Sequence, residues 1–296
     1  MYPISYIEPI FRPPSEWKSL ILQVTNGCSW NKCTFCDMYT QPQKRFQNQD
    51  LSAIETQLRQ IVEAGYPVYR VFLADGDAMT LSVRRLHEIL DLLNRWLPHK
   101  PRVSAYCLPR NLRNKSVDEL RELREKGLSL LYVGCETGDN ELLTLISKGE
   151  SFDSSLDALQ KMHAAGIKSS VMVLNGLGGP ELSERHALES ARLMNAAQPH
   201  YLSTLVVEFP NGTQRFNDPF DGRWRKLGKL ELFREMETFL TALELKNTIF
   251  RSDHASNYLV LKGVLGKDKE SLLNIIRTAI HQPGRIPLRE EWQRGL

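Results

Sequence analysis

At 296 residues the chain is long enough to bury a substantial core in one large α/β domain or two small ones. Its 38 Lys and Arg against 35 Asp and Glu leave a net charge of +3, spread without long runs, which indicates neither a nucleic-acid footprint nor a polybasic membrane patch. The opening "MYPISYIEPIFRPPSEWKS" lacks a basic stretch followed by an apolar one, and no segment approaches the ~20 apolar residues of a spanning helix, so a cytoplasmic protein with no nucleic-acid and no membrane partner is expected.

In chain order, a first strand is expected near 19–25 and a helix near 50–64, where Leu51, Ile54, Leu58, Ile61 and Val62 form one apolar stripe. A strand near 69–74, a helix near 81–96 and a strand near 102–107 follow. The next helix, near 116–126, opens with the capping box "SVDE" at Ser116 to Glu119. Then come a strand near 129–135, helices near 139–147 and 153–165, and a strand near 169–175. A helix near 182–197, a strand near 201–207 and a helix near 227–243 complete the series. Three times a helix reaches a glycine and enters an apolar run, at Gly65, Gly127 and Gly166. Strands alternating with helices imply a parallel sheet, and six such units predict an α/β fold, a partial (β/α)6 barrel. A full eight-stranded barrel exceeds this length. "NTIFRS" (247–252) reads as a further strand and 268–280 as a helix, a short C-terminal appendage on the same core. One domain over 1–296 is expected, with its core at about 18–245 and the appendage at about 246–296. In such folds ligands collect at the carboxyl ends of the strands.

Cys28, Cys33 and Cys36 directly follow the first strand. An odd count of five cysteines with three clustered argues for metal binding over a disulfide framework. Structural zinc wants four ligands, usually as two pairs, and C-x4-C-x2-C supplies three. A [4Fe–4S] cluster with one iron open to a substrate or cofactor fits this donor set better.

With "CTFC", and Phe35 as the aromatic before the last cysteine, the loop resembles that of the radical SAM superfamily, whose commonest spacing is one residue shorter. The resemblance implies that Cys28, Cys33 and Cys36 hold a [4Fe–4S] cluster whose open iron is chelated by S-adenosylmethionine. It further implies a cofactor role for Asp75, Gly76 and Asp77 of "LADGDAMTL", which stand where the family has a turn that holds the methionine amino group. Read alone, "DGD" is an ordinary turn. "VGCETGDNELLTLISKGE" resembles a segment of the coproporphyrinogen-oxidase-like and methylthiotransferase-like branch, in which an acid or amide contacts the ribose and a base twelve positions later meets the methionine carboxylate. Glu136 and Lys148 have that spacing. The alternative is an acidic helix start and a basic helix end, favoured by the dipole. Asn175, Gly176 and Gly178 of "LNGLGG" end the fifth strand where backbone passes close to an adenine, or form a simple strand-to-helix turn.

Alternation puts Ser104 and Tyr106 on one strand face and Val103, Ala105 and Cys107 on the other; if Glu136 lines the lumen, Tyr132 does too and Cys135 points out. Cys107 and Cys135 then read as small buried hydrophobes. Tyr106 and Arg110 are candidates at the substrate end, Arg110 as the partner of a substrate carboxylate. In "FRSDHASNYLVLKG", His254 is a candidate for proton transfer beside Ser256 and Asn257, unless the segment is a capping loop. His87, His163 and His186 fall on expected helices and read as surface residues. "RPPSE" (12–16) carries no chemical reading of its own.

The resemblance implies an enzyme that cleaves S-adenosylmethionine to a 5′-deoxyadenosyl radical and abstracts hydrogen from a small-molecule or peptide substrate, supplied by an external one-electron reductant such as flavodoxin or ferredoxin. With no second cysteine set, sulfur insertion is not expected; with no cobalamin or RNA-binding segment in view, neither is methylation through cobalamin nor tRNA modification. The rival reading is a non-enzymatic haem-chaperone-like or sensor protein on the same fold, with His254 as the available axial ligand.

Overall fold

Three amphipathic helices end at a glycine in the left-handed region and deliver the chain into a buried strand, at Gly65 (φ 73°), Gly127 (φ 119°) and Gly166 (φ 74°). A glycine there lets the chain leave the helix without a Cβ clash. These elements belong to a computed structural model that describes residues 2–294. Two compact units share the chain: residues 2–32, 36–133 and 157–169, and residues 33–35, 134–156 and 170–294.

The first unit runs β1 (Leu20–Gln23), β2 (Thr25–Asn26), β3 (Gln47–Asn48), α1 (Leu51–Glu63), β4 (Arg70–Ala74), α2 (Val83–Trp96), β5 (Arg102–Cys107), α3 (Val117–Glu125) and β6 (Leu128–Glu136), the last three residues of β6 belonging to the second unit. Its strands are parallel in the order β1, β4, β5, β6, with Leu20 opposite Val71, Val71 opposite Val103 and Tyr106 opposite Tyr132. Val71, Phe72, Leu73 and Ala74 are wholly buried, as a parallel strand covered on both faces requires. α1 buries Ile54, Leu58 and Ile61, three of the stripe residues, while Val62 stays exposed. The capping box forms as expected: Ser116 Oγ accepts from Glu119 N (3.1 Å) and Glu119 Oε2 from Ser116 N (2.7 Å).

"RPPSE" acquires a physical account. Glu16 is wholly buried, and its carboxylate accepts hydrogen bonds from Arg102 (2.7 Å), the Tyr132 hydroxyl (2.7 Å) and Ser19, while Ser15 Oγ lies 2.7 Å from the same hydroxyl. A buried carboxylate is tolerable only with such partners, so the segment ties the N-terminal stretch to β5 and β6.

The chain continues through α4 (Asn140–Leu145), α5 (Phe152–Ala164), β7 (Lys168–Asn175), α6 (Gly179–Ala197), β8 (Tyr201–Val206), α7 (Gln214–Asn217), α8 (Lys229–Ala242), β9 (Ile249–Ser252), β10 (Leu261–Val264) and α9 (Lys269–His281). In the second unit β7, β8 and β9 are parallel, and β10 returns antiparallel to β9 with Leu261 opposite Ser252. β10 carries no legible strand pattern: "LKGV" holds a lysine and a glycine, and pairing with β9 makes it a strand. α6 packs on α8 and α8 on α9, which buries Leu272, Leu273, Ile276 and Ala279.

His186, expected on the surface, is 1% exposed in α6. Its polar neighbours repay that burial. Nδ1 lies 2.8 Å from Thr137 Oγ1 and Nε2 3.9 Å from Glu235 Oε1. His163 is exposed and His87 partly so.

Candidate active site

In the first unit the site is built on the loop that leaves β2. Antiparallel pairing of β2 with β3 ties its two ends together, and Asn26 Nδ2 donates to the carbonyls of Gln43 (2.7 Å) and Arg45 (3.0 Å). Gly27 (φ 69°) admits no side chain, because a Cβ there would stand 2.0 Å from the Lys44 carbonyl oxygen.

The "DGD" turn at the end of β4 brackets the first cysteine. Asp75 Oδ2 accepts from Gly27 N (3.1 Å), Gln23 Nε2 (3.0 Å) and Lys44 Nζ (2.6 Å), with both charged side chains wholly buried. Asp77 Oδ1 accepts from Ser29 N (3.0 Å), and its other oxygen from Ser29 Oγ. One aspartate therefore grips the residue before Cys28 and the other the residue after it. Gly76, between them, is in close contact: a Cβ would fall 2.7 Å from the Tyr39 ring and 3.1 Å from Cys28 Cβ. Burial raises the Asp77 pKa against its bonds to Ser29 and Asn111 and the charge of Arg110. Asp75 Oδ1 is buried with no hydrogen-bond partner, an acceptor of the kind that an ammonium group satisfies.

Tyr106 faces as alternation predicts. Its ring meets those of Phe72 (5.1 Å) and Tyr132 (6.2 Å), while Cys107 and Cys135 are buried. Burial, then the charges of Tyr132, Asp75, Cys36 and Glu16, hold the Tyr106 phenol well above its ordinary pKa, so it stays protonated. The Arg110 guanidinium stacks 3.7 Å over the ring of Trp30, within the cysteine loop. The first unit thus brings together Cys28, Cys36, Asp75, Gly76, Asp77, Tyr106 and Arg110.

Residues 33–35 of the loop belong to the second unit. Thr34 N donates to the Ile146 carbonyl (3.0 Å), Arg215 donates to those of Cys33 (3.1 Å) and Thr34 (3.3 Å), and Phe35 packs on the cluster of Leu142, Leu143, Ile146, Leu177, Phe216 and Trp224. Glu136 ends β6 at φ 64°, and its Oε1 accepts from Lys148 Nζ at 2.7 Å. The pair spaced twelve residues apart meets. Glu136 terminates a strand four residues before α4, and Lys148 follows the end of α4 by three residues, its N donating to the Leu143 carbonyl (3.0 Å). Burial works to lower the Lys148 pKa, but the charge of Glu136 and then that of Cys33 carry it above the ordinary value. A Cβ on Gly134 would meet Glu136 Oε1 at 2.1 Å and Lys148 Nζ at 3.3 Å, so a side chain there would displace the Glu136 carboxylate. The Lys148 ammonium lies 5.7 Å from the Phe35 ring centre.

Asn175, Gly176 and Gly178 form the turn from β7 into α6. Its anchor is Glu235 of α8, which carries no motif: Oε1 accepts from Gly176 N and Oε2 from Ser183 Oγ, both at 2.6 Å. The available signal is a glutamate at a core position among Leu232, Phe233, Met236 and Phe239. Burial pushes the Glu235 carboxyl up to about 7 and the His186 imidazole down to about 4.

His254 belongs to a different constellation. Its Nδ1 accepts from Ser256 N (3.2 Å) and lies 2.9 Å from Ser256 Oγ, while Arg289 donates to the carbonyls of Asp253, His254 and Asn257. The segment is a tightly bonded loop, and it carries a half-buried histidine whose pKa burial lowers.

Cys28, Cys33 and Cys36 are all partly exposed. Among the described residues no three His, Cys, Asp or Glu side chains converge to hold a single metal ion. A cubane does not require convergence, because each thiolate binds its own iron. In the first unit, the partly exposed Cys28 and Cys36 beside an orphaned buried carboxylate oxygen are donors of the kind that a [4Fe–4S] cluster and a methionine ammonium take; in the second, Cys33 and the Glu136–Lys148 pair are donors of the kind that the cluster and the rest of S-adenosylmethionine take. Among the described residues no helix is long and apolar enough to cross a membrane.

A family model described as Radical SAM superfamily matches residues 22–194. Heme chaperone HemW of Bacillus subtilis (strain 168) is 25% identical over 186 residues, covering 60% of this chain and 48% of its own; the chain spans about half the length of that curated relative. Coproporphyrinogen III oxidase (HemN) of Escherichia coli, described as a radical SAM enzyme, is similar in structure with a TM-score of 0.54 and 18% identity over 75% of this chain and 52% of that one. Methylornithine synthase (PylB) is similar with a TM-score of 0.50 and 18% identity over 77% and 63%. At these identities the structural likeness shows the fold alone, mostly parallel strands alternating with helices.

Proposed function

The chain belongs to the radical SAM superfamily, and on that premise we propose that it is an enzyme which binds a [4Fe–4S] cluster through Cys28, Cys33 and Cys36 together with S-adenosylmethionine, and acts on a small-molecule or peptide substrate. The chemistry supplied when both are bound is one-electron cleavage of the sulfonium to a 5′-deoxyadenosyl radical, followed by hydrogen abstraction.

The construction of the cysteine loop carries this reading. Asp75 and Asp77 hold the backbone on either side of Cys28, and Arg215 and Ile146 hold that of residues 33 and 34, so protein hydrogen bonds fix the backbone that carries two of the three thiols. Asp75 Oδ1 suits the methionine ammonium. Glu136 and Lys148 supply a carboxylate for ribose hydroxyls and an ammonium for the methionine carboxylate, each orienting the other. The Gly176 turn offers backbone for a close approach to the adenine. Tyr106 supplies a neutral phenol to the substrate side, and an external flavodoxin or ferredoxin supplies the electron.

A haem-carrying role has one observation in its favour, the similarity to HemW. In His254, its candidate axial ligand, Nδ1 is taken up by Ser256, 3.2 Å from the backbone N and 2.9 Å from Oγ, which leaves Nε2 as the ring nitrogen that an iron could reach.

Anaerobic reconstitution with iron and sulfide, then addition of dithionite and S-adenosylmethionine, tests the proposal. About four iron and four sulfide per chain and formation of 5′-deoxyadenosine are expected, both lost in Cys33→Ala. Tight haem binding without cofactor cleavage would refute the enzyme reading.

A further inference from the structure

A pocket of about 550 Å³ opens in the first unit, walled by the turn after β4 and the segment after β5. This is the end of parallel strands where α/β folds collect ligands, and the volume is that of a small-molecule site. Arg110, Arg113 and Lys115 line it against one carboxylate, that of Glu119. Glu119 is committed to the α3 capping box. Lys115 is 8% exposed, and its ammonium donates to the carbonyls of Met79 and Asn111, both at 2.9 Å. These acceptors satisfy two of its three donors and carry no net charge. Burial lowers the Lys115 pKa, a cost that an anion in the pocket offsets. Arg110 also faces Asp77 and Lys115 also faces Glu119, so three cations meet two carboxylates and the wall keeps a net positive charge.

The pocket is joined physically to the cysteine loop. Arg110, in its wall, stacks on Trp30, two residues beyond Cys28. We propose that this pocket binds an oxyanion, a carboxylate or phosphate, carried by the small-molecule substrate. The proposal rests on the enzyme reading and adds the substrate's chemical class. Nine residues line the pocket, the footprint of a small molecule, whereas a protein partner covers about 20–30 residues a side.

Cluster-loaded, full-length protein is titrated anaerobically with inorganic phosphate and, separately, with acetate, binding being followed by calorimetry and by ³¹P line broadening. Saturable binding is expected for at least one probe, and the stronger of the two identifies the group. Arg113→Glu weakens it at least tenfold and Arg113→Lys retains part of it. Arg113 is exposed, so its variants keep the fold, which circular dichroism checks. Absence of saturable binding, or equal binding by Arg113→Glu, overturns the proposal. So does a variant that binds neither probe differently yet is reduced more slowly by flavodoxin than by dithionite, because the pocket then serves an acidic protein. Anion binding is read without turnover. Its absence while 5′-deoxyadenosine still forms overturns the pocket alone, and the reverse result overturns the enzyme reading and leaves the anion site standing.

Discussion

Glu235 and His186, neighbours 3.9 Å apart, titrate in opposite senses for one cause, the exclusion of water from a charged form. Glu235, raised to about 7 from 4.5, stays protonated in the folded chain where the unfolded chain ionises. The folded state binds more protons in that window, so this contribution is full below pH 4.5 and is lost as pH rises through 7, by about 3 kcal/mol in all. His186, lowered to about 4 from 6.5, binds fewer protons folded, and its contribution is present above 6.5 and lost as pH falls through 4. Glu235→Gln removes only the first effect and keeps an acceptor for Gly176 N. The difference in melting temperature, variant minus wild type, should therefore rise between pH 4.5 and 7 and level off above. A difference that does not change with pH across that interval would show that Glu235 does not titrate there.

At the level of elements, the segment between β6 and α4 is docked on α6 without slack. Gly138 N donates to Ser190 Oγ at 3.0 Å, and a Cβ on Gly138 would stand 2.2 Å from the Glu189 carbonyl oxygen. Backbone cannot swing aside as a long side chain does. Gly138→Ala should destabilise the protein by about 1–3 kcal/mol, read in urea unfolding, through the displacement of α6 that overpacking forces. Because Glu136 lies two residues before Gly138, the displacement should also disturb the Glu136–Lys148 pair. The turn at Gly176 is held by the same helix and by α8, so candidate cofactor residues of the second unit hang on helix packing that no motif records.

For the whole molecule, the residues past α9 are structural parts of the 253–257 loop. Arg289 donates to the carbonyls of Asp253, His254 and Asn257, and Arg294 donates to that of Ser256 (2.9 Å) and pairs with Glu208. Ending the chain after Arg285 removes these donors. Amide hydrogen exchange over 253–257 should then rise at least tenfold while that of β4 and β5 is unchanged; equal protection in both forms would show that the loop stands alone. The amino-acid sequence by itself determined the alternation of helices and strands, the helix caps at Ser116 and Gly65 and the three-thiolate loop, because periodicity, capping and donor spacing are local properties. The resemblance picked out Glu136 and Lys148, twelve residues apart, and the fold closes them to 2.7 Å. Only the tertiary structure decided what the buried polar groups do. Asp77 holds Ser29 across 48 residues, Glu235 holds Gly176 across 59, and Tyr132 reaches Glu16 across 116. Those distances along the chain close only through strand pairing and helix packing, and a buried charge has no signature in sequence until its partner is known.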